Sequence, residues 1–127
     1  MQYKLKPEVK KQWVEALRSG EYKQGQAVLC KDDAFCCLGV LCDLAVKAGV
    51  IEPPNVQGGG YTIYYEGSAH FPGESVEDWA YQDSYAVAEF SEMWYVDYAG
   101  GEAGLSHLND NVGLSFTELA DLIEEHL

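Results

Sequence analysis

The chain is 127 residues long, 47% hydrophobic and 23% charged, with a formal net charge of −13. That length and composition describe one globular domain with its own core and exclude a disordered chain. The longest apolar run falls short of the roughly 20 residues that a bilayer-spanning helix needs, so no membrane association is expected.

A helix is predicted first. Pro7 suits its opening turn, Glu8 its positive dipole end and Arg18 its negative end. Val9, Trp13 and Leu17 recur at helical spacing with Ala16 beside them, and Gly20 is a natural stop. Short strands are then expected over 27–30 and 34–37, joined by the polar turn Lys31-Asp32-Asp33. The stretch FCCLGVLCDLAVKAGV, residues 35–50, carries two charges and three of the four cysteines. From Leu38 to about Ala48 it reads as a buried helix closed by Gly49. Gly39, Asp43 and Lys47 make its one polar stripe, in which Asp43 and Lys47 can pair. Gly39 lowers helix propensity by about 1 kcal/mol, which points to another backbone passing close by.

Residues 52–60, EPPNVQGGG, read as a loop. TIYYEG and SAHFP suggest a second hairpin. A short helix over 74–80 would present Val76 and Trp79. Val87, Phe90 and Trp94 fit a helix within 84–97, broken by Gly100, Gly101 and Gly104. The last element is the best defined. Ser115 and Glu118 form a capping box, Leu114 and Leu119 a hydrophobic staple, and Phe116, Leu119, Ala120 and Ile123 face inward. The expected fold class is α+β: a small single domain of about four helices packed on short antiparallel hairpins.

The charge is uneven. Residues 1–31 hold seven basic residues against three acids, +4, whereas residues 32–127 set Lys47 alone against eighteen acids, −17. The acidic field opposes nonspecific nucleic-acid binding, while the basic corner can steer a small anion toward the N-terminal segment. MQYKLKPEVKKQ lacks the apolar stretch of a signal peptide, so a cytoplasmic location is expected. Adjacent Cys36 and Cys37 are a poor disulfide framework, which makes reduced, buried thiols the expectation. No CxxC pair occurs and no histidine stands at a zinc-ligand distance, so neither metal nor other cofactor is expected.

Few constellations carry chemistry. In 109–118, NDNVGLSFTE, Gly113 and Glu118 are five apart, one short of the calcium-loop spacing, and Leu108 would take the first ligand position. Cys36 or Cys37 with His70 or His107 would supply a thiol and a base, but cysteines inside an apolar run read as inert core. Glu74, Glu77 and Asp78 sit at a helix start, where the dipole accounts for them. Gly58, Gly59 and Gly60 precede a strand candidate rather than a phosphate-binding helix.

A binding site is easier to assemble. Trp13, Arg18, Tyr22, Lys23 and Gln24 share one segment, with a planar fork for phosphate and aromatic faces for a base. Asn109 and Asp110 could accept ribose hydroxyls. The same residues have a structural account, with Trp13 in the core, Tyr22 over a helix end and Asn109-Asp110 in a turn.

WVEALRSGEYKQG (13–25), FCCLGVLCDLA (35–45), FPGESVEDWA (71–80) and LNDNVGLSFTELADLIE (108–124) together resemble a family of small, largely uncharacterised proteins of tailed bacteriophages and prophages. The resemblance covers about half the chain and transfers no catalytic residue. It implies an accessory role against host defence, such as sequestering a cyclic ADP-ribose isomer or a cyclic oligonucleotide between protomers of a homo-oligomer in the host cytoplasm. On that expectation the protein is not an enzyme. Arg18 and Lys23 would meet phosphate, Trp13 or Tyr22 would stack on the base, and Asn109 or Asp110 would meet ribose. The alternatives are an acidic, DNA-mimic-like protein that blocks a host protein, and a hydrolase of nucleotide signals using His70 or His107.

Overall fold

Helix α1 (Pro7–Ser19) starts on its proline and ends at Gly20, whose φ of +79° is the left-handed stop that glycine tolerates best. The computed structural model describes residues 4–56, 62–65, 68–81 and 94–127. Val9, Trp13, Val14 and Leu17 form the buried face of α1. That face packs chiefly on α5 (Phe116–His126) and on α2 (Cys37–Lys47).

The expected strands over 27–30 and 34–37 are shorter in the structure. They are β2 (Cys30–Lys31) and β3 (Ala34–Phe35). Ala27 takes a left-handed φ of 75°, and Cys36 is already the cap of α2, which trims both candidates. Asp32 and Asp33 both have positive φ, 53° and 64°, as the tight two-residue hairpin turn requires. The sheet is not purely antiparallel. Strand β1 (Lys23–Gln24) joins β3 in parallel, and the order is β1-β3-β2-β5-β4.

Strand β4 (Asn55–Val56) pairs with β5 (Thr62–Tyr64), so part of the expected 52–60 loop is extended and hydrogen-bonded. Residues 57–60 of that loop lie outside the described residues. Strand β5 also pairs with β2 rather than with a strand from SAHFP; Tyr65 and Ser68 instead form an isolated bridge.

Helix α3 (Glu74–Ala80) spans the expected residues. The helix read over 84–97 is different at its end. Tyr95–Tyr98 is strand β6, paired antiparallel with β7 (Gly101–Gly104), and the remaining candidates Val87 and Phe90 lie outside the described residues. Ala99 and Gly100 turn this hairpin with positive φ, and Tyr95 lies across Gly104, so the glycines build a strand pair instead of ending a helix. A helical turn, α4 (Leu105–His107), widens into a π-helical turn at Leu108–Val112 and stops at Gly113. Helix α5 carries the expected capping box: Glu118 N–H donates to Ser115 Oγ, and Ser115 N–H donates to the Glu118 carboxylate.

The core centres on α2, in which Cys37, Leu38, Gly39, Val40, Leu41, Cys42 and Ala45 are all buried. Trp13 is fully enclosed, packs edge-on to Trp94 at 5.9 Å, and donates its indole N–H to Cys37 O at 2.9 Å. The fold class is thus α+β, as the sequence predicts. A Cβ on Gly39 would stand 1.8 Å from Leu29 O and 2.6 Å from Leu29 C. Gly39→Ala is therefore expected to lower the urea-unfolding free energy by about 2–3 kcal/mol, although alanine adds roughly 1 kcal/mol of helix propensity.

Glu77 is the buried carboxyl of α3, 6% exposed. Its Oε2 and the Trp94 indole nitrogen both lack a well-formed hydrogen bond. Burial first, then repulsion from Asp78 and Glu74, pushes Glu77 up from 4.5 to about 7, with the Trp94 N–H pulling the other way. The folded state holds this proton more tightly than the unfolded chain does. The resulting stability is therefore full below pH 4.5 and is lost as pH rises through 7. Glu77→Gln should be more stable than the wild-type chain at pH 8, by on the order of 2 kcal/mol, with the gap closing toward pH 4.5 in parallel thermal melts.

Candidate functional site

The seven residues singled out from the sequence fall in three places. Trp13 is interior, 0% exposed with its N–H engaged, so it presents no ring face to a ligand. Tyr22 lies half-buried against α2, edge-on to Phe35. Its hydroxyl donates to Asp43 at 2.5 Å and accepts from Lys47 at 3.0 Å, while Lys47 and Asp43 pair at 3.1 Å. The polar stripe of α2 therefore clasps the chain just after α1. Burial, then the bond to Asp43, raises the Tyr22 phenol, so the clasp keeps it protonated.

Gln24, Asn109 and Asp110 do come together, as a polar joint inside the fold. Asn109 is 0% exposed. Its side-chain oxygen accepts from Gln24 Nε2 at 2.9 Å and from Cys37 N–H at 3.3 Å. Its amide nitrogen donates to Gly25 O and Asp110 Oδ1, both at 2.8 Å. Gln24 Nε2 also donates to Leu114 O at 2.8 Å. The π-helical turn places Asn109 at this junction, where it satisfies the backbone of β1's exit and of α2's first turn. Asn109 is thereby committed to structure, and its spacing alone does not reveal that.

Arg18 stands apart on the outer face of α1. It pairs with Asp121 at 2.6 Å and with Glu124 at 3.1 Å, both on α5. Hydrogen bonds to Glu124 and then to Asp121 raise its pKa further. Lys23 is exposed on β1.

Beside Arg18 the outer face of α1, with Glu124 of α5 at its edge, borders a groove of about 330 Å³. Lys10, Lys11 and Arg18 supply its cations, Glu15 and Glu124 its anions, and Pro7 and Val14 its apolar surface. Lys10 and Lys11 make no ion pair among the described residues. The lining is thus net positive by one charge on a chain of −13. The sequence reading missed both lysines. Their signal was available: residues 7, 10, 11, 14 and 18 recur every three or four positions beside the core stripe.

Nucleophilic chemistry finds little support at the cysteines. All four are buried free thiols. Burial pushes Cys30 and Cys36 up to about 11 and raises Cys37 well above the ordinary thiol value, so none of these three is a thiolate at neutral pH. His70 is exposed, with Nδ1 3.1 Å from Ala27 O, and His107 is exposed on α4. Among the described residues no group of three or more His, Cys, Asp or Glu side chains could hold a metal ion, and no helix is long and apolar enough to cross a membrane.

Comparison with known families places residues 5–127 in a domain of unknown function, DUF8296. The chain belongs to that family. No curated protein and no solved structure matches it.

Proposed function

We propose that the protein is a phage accessory protein that binds and sequesters a small anionic nucleotide, with the phosphates held in the α1–α5 groove. The supporting observation is a cluster of cations on a strongly acidic chain: Lys10 and Lys11, without an ion pair among the described residues, share one groove with the paired Arg18. Cationic side chains in a concave setting concentrate anions and form charge-assisted hydrogen bonds to phosphate. Relative to the sequence expectation, Lys10 and Lys11 take over phosphate contact beside Arg18. Trp13, Gln24 and Asn109 drop out because their polar atoms or faces are used inside the fold.

Calorimetric titration with cyclic ADP-ribose isomers and cyclic dinucleotides tests this reading. Binding should weaken by about tenfold or more in K10A/K11A and in Arg18→Ala, the loss expected for charged hydrogen bonds. The absence of binding by every nucleotide in the panel, in all three proteins, would reject it. Assembly of copies belongs to the same proposal, and light scattering on the titrated sample should report a mass above that of one chain.

A second reading has its own observation. Helix α5 shows solvent Glu118, Asp121, Glu124 and Glu125, all exposed, within one eleven-residue helix. Such a face suits a basic surface on a host protein, as in a DNA mimic. Pull-down should then recover a basic partner at low salt and lose it as ionic strength rises. Capture that is indifferent to salt, or no basic partner at all, counts against this second reading.

A further inference from the structure

Resting on the groove as an anion site, we infer that Asp121 and Glu124 of α5, which occupy Arg18, are its selectivity residues and favour ligands that carry two separated anionic groups. The Arg18 fork is already filled, by Asp121 at 2.6 Å on Nη2 and Glu124 at 3.1 Å on Nη1. A lone phosphate has to displace carboxylates that the fold holds beside the guanidinium at high effective concentration. At half-buried Lys10 and exposed Lys11 it meets ammonium groups beside solvent, whose attraction water and salt screen.

Helix geometry separates the two cationic ends. Lys11 and Arg18 are seven residues apart, so they lie on nearly one face and about 10 Å apart along the axis. Val14 and Pro7 supply apolar surface in the same groove. A ligand anchored by one anion at Lys10 and Lys11 presents its second anion to Arg18 as a tethered group, and that group competes with Glu124 on equal terms. The chemistry selected is a ribose or similar scaffold with phosphates at two positions, rather than a monophosphate.

Titration calorimetry on the full chain separates these ligand classes, using adenosine 5′-monophosphate and adenosine 3′,5′-bisphosphate as probes. The wild-type chain should prefer the bisphosphate by about tenfold or more. D121N/E124Q should cut that preference to about threefold or less, by tightening the monophosphate. E52Q/E102Q changes net charge equally at two exposed glutamates that do not line the groove, and should leave the preference as in wild type. Exposed ion pairs contribute little to stability, so D121N/E124Q should melt near the wild-type temperature. Equal affinity for the two probes in wild type, an undiminished preference in D121N/E124Q, or an equal shift in E52Q/E102Q overturns the inference while leaving the groove as an anion site. If neither probe binds any of the three proteins, both the inference and the groove reading fall.

Discussion

The rest of the molecule depends on the contact between the Leu29 carbonyl and the first turn of α2. Leu29 O accepts from Cys36 N–H at 3.2 Å and lies against Gly39, which has no side chain to hold it off. This approach turns the β2–β3 hairpin back onto the helix it leads into. It lets α2 bury nearly every side and sets the height at which α1, α3 and α4 meet it. Backbone this deep in a core must have its polar groups satisfied, and the Cys36 N–H and Trp13 N–H do so on either side of the helix start.

Polar residues inside the fold follow the same logic. Asn109 makes a closed set of hydrogen bonds among three segments, and a fully satisfied buried amide fixes their mutual register. Tyr22, Asp43 and Lys47 do the same at the surface, with the Lys47 ammonium also 5.3 Å above the Tyr22 ring. Residues best equipped to recognise a ligand by hydrogen bonding are therefore consumed in joining elements. Outside these joints, charge is concentrated on the outer face of α1, where Arg18 meets the carboxylates of α5.

The helices were legible because their signals are local. Pro7 with Gly20, and Ser115 with Glu118, mark their own ends, and the Gly39 approach follows from one residue that costs helix propensity without a local benefit. The strands were harder. Two-residue strands such as β2 and β3 show no alternation to read, and β1 is held in parallel by a partner eleven residues on. Trp94 continues the helical spacing of Val87 and Phe90 but also alternates with Val96 as in a strand, and the positive φ of Ala99 and Gly100 turns the chain into a hairpin. The site was legible in its charge and not in its members. The sequence places Trp13, Arg18 and Asn109 among candidate ligand contacts, but burial and pairing across more than eighty residues determine which of them stay available.

Helix α1 finds its largest partner in α5, and the Arg18–Glu124 bridge joins residues 106 positions apart. On the ribosome, α1 emerges early and its apolar stripe stays without that cover until α5 has left the exit tunnel. The groove between them is correspondingly a late feature of the molecule. Formation of so distant a contact also closes a loop of about a hundred residues, whose entropy is lost before the contact can form.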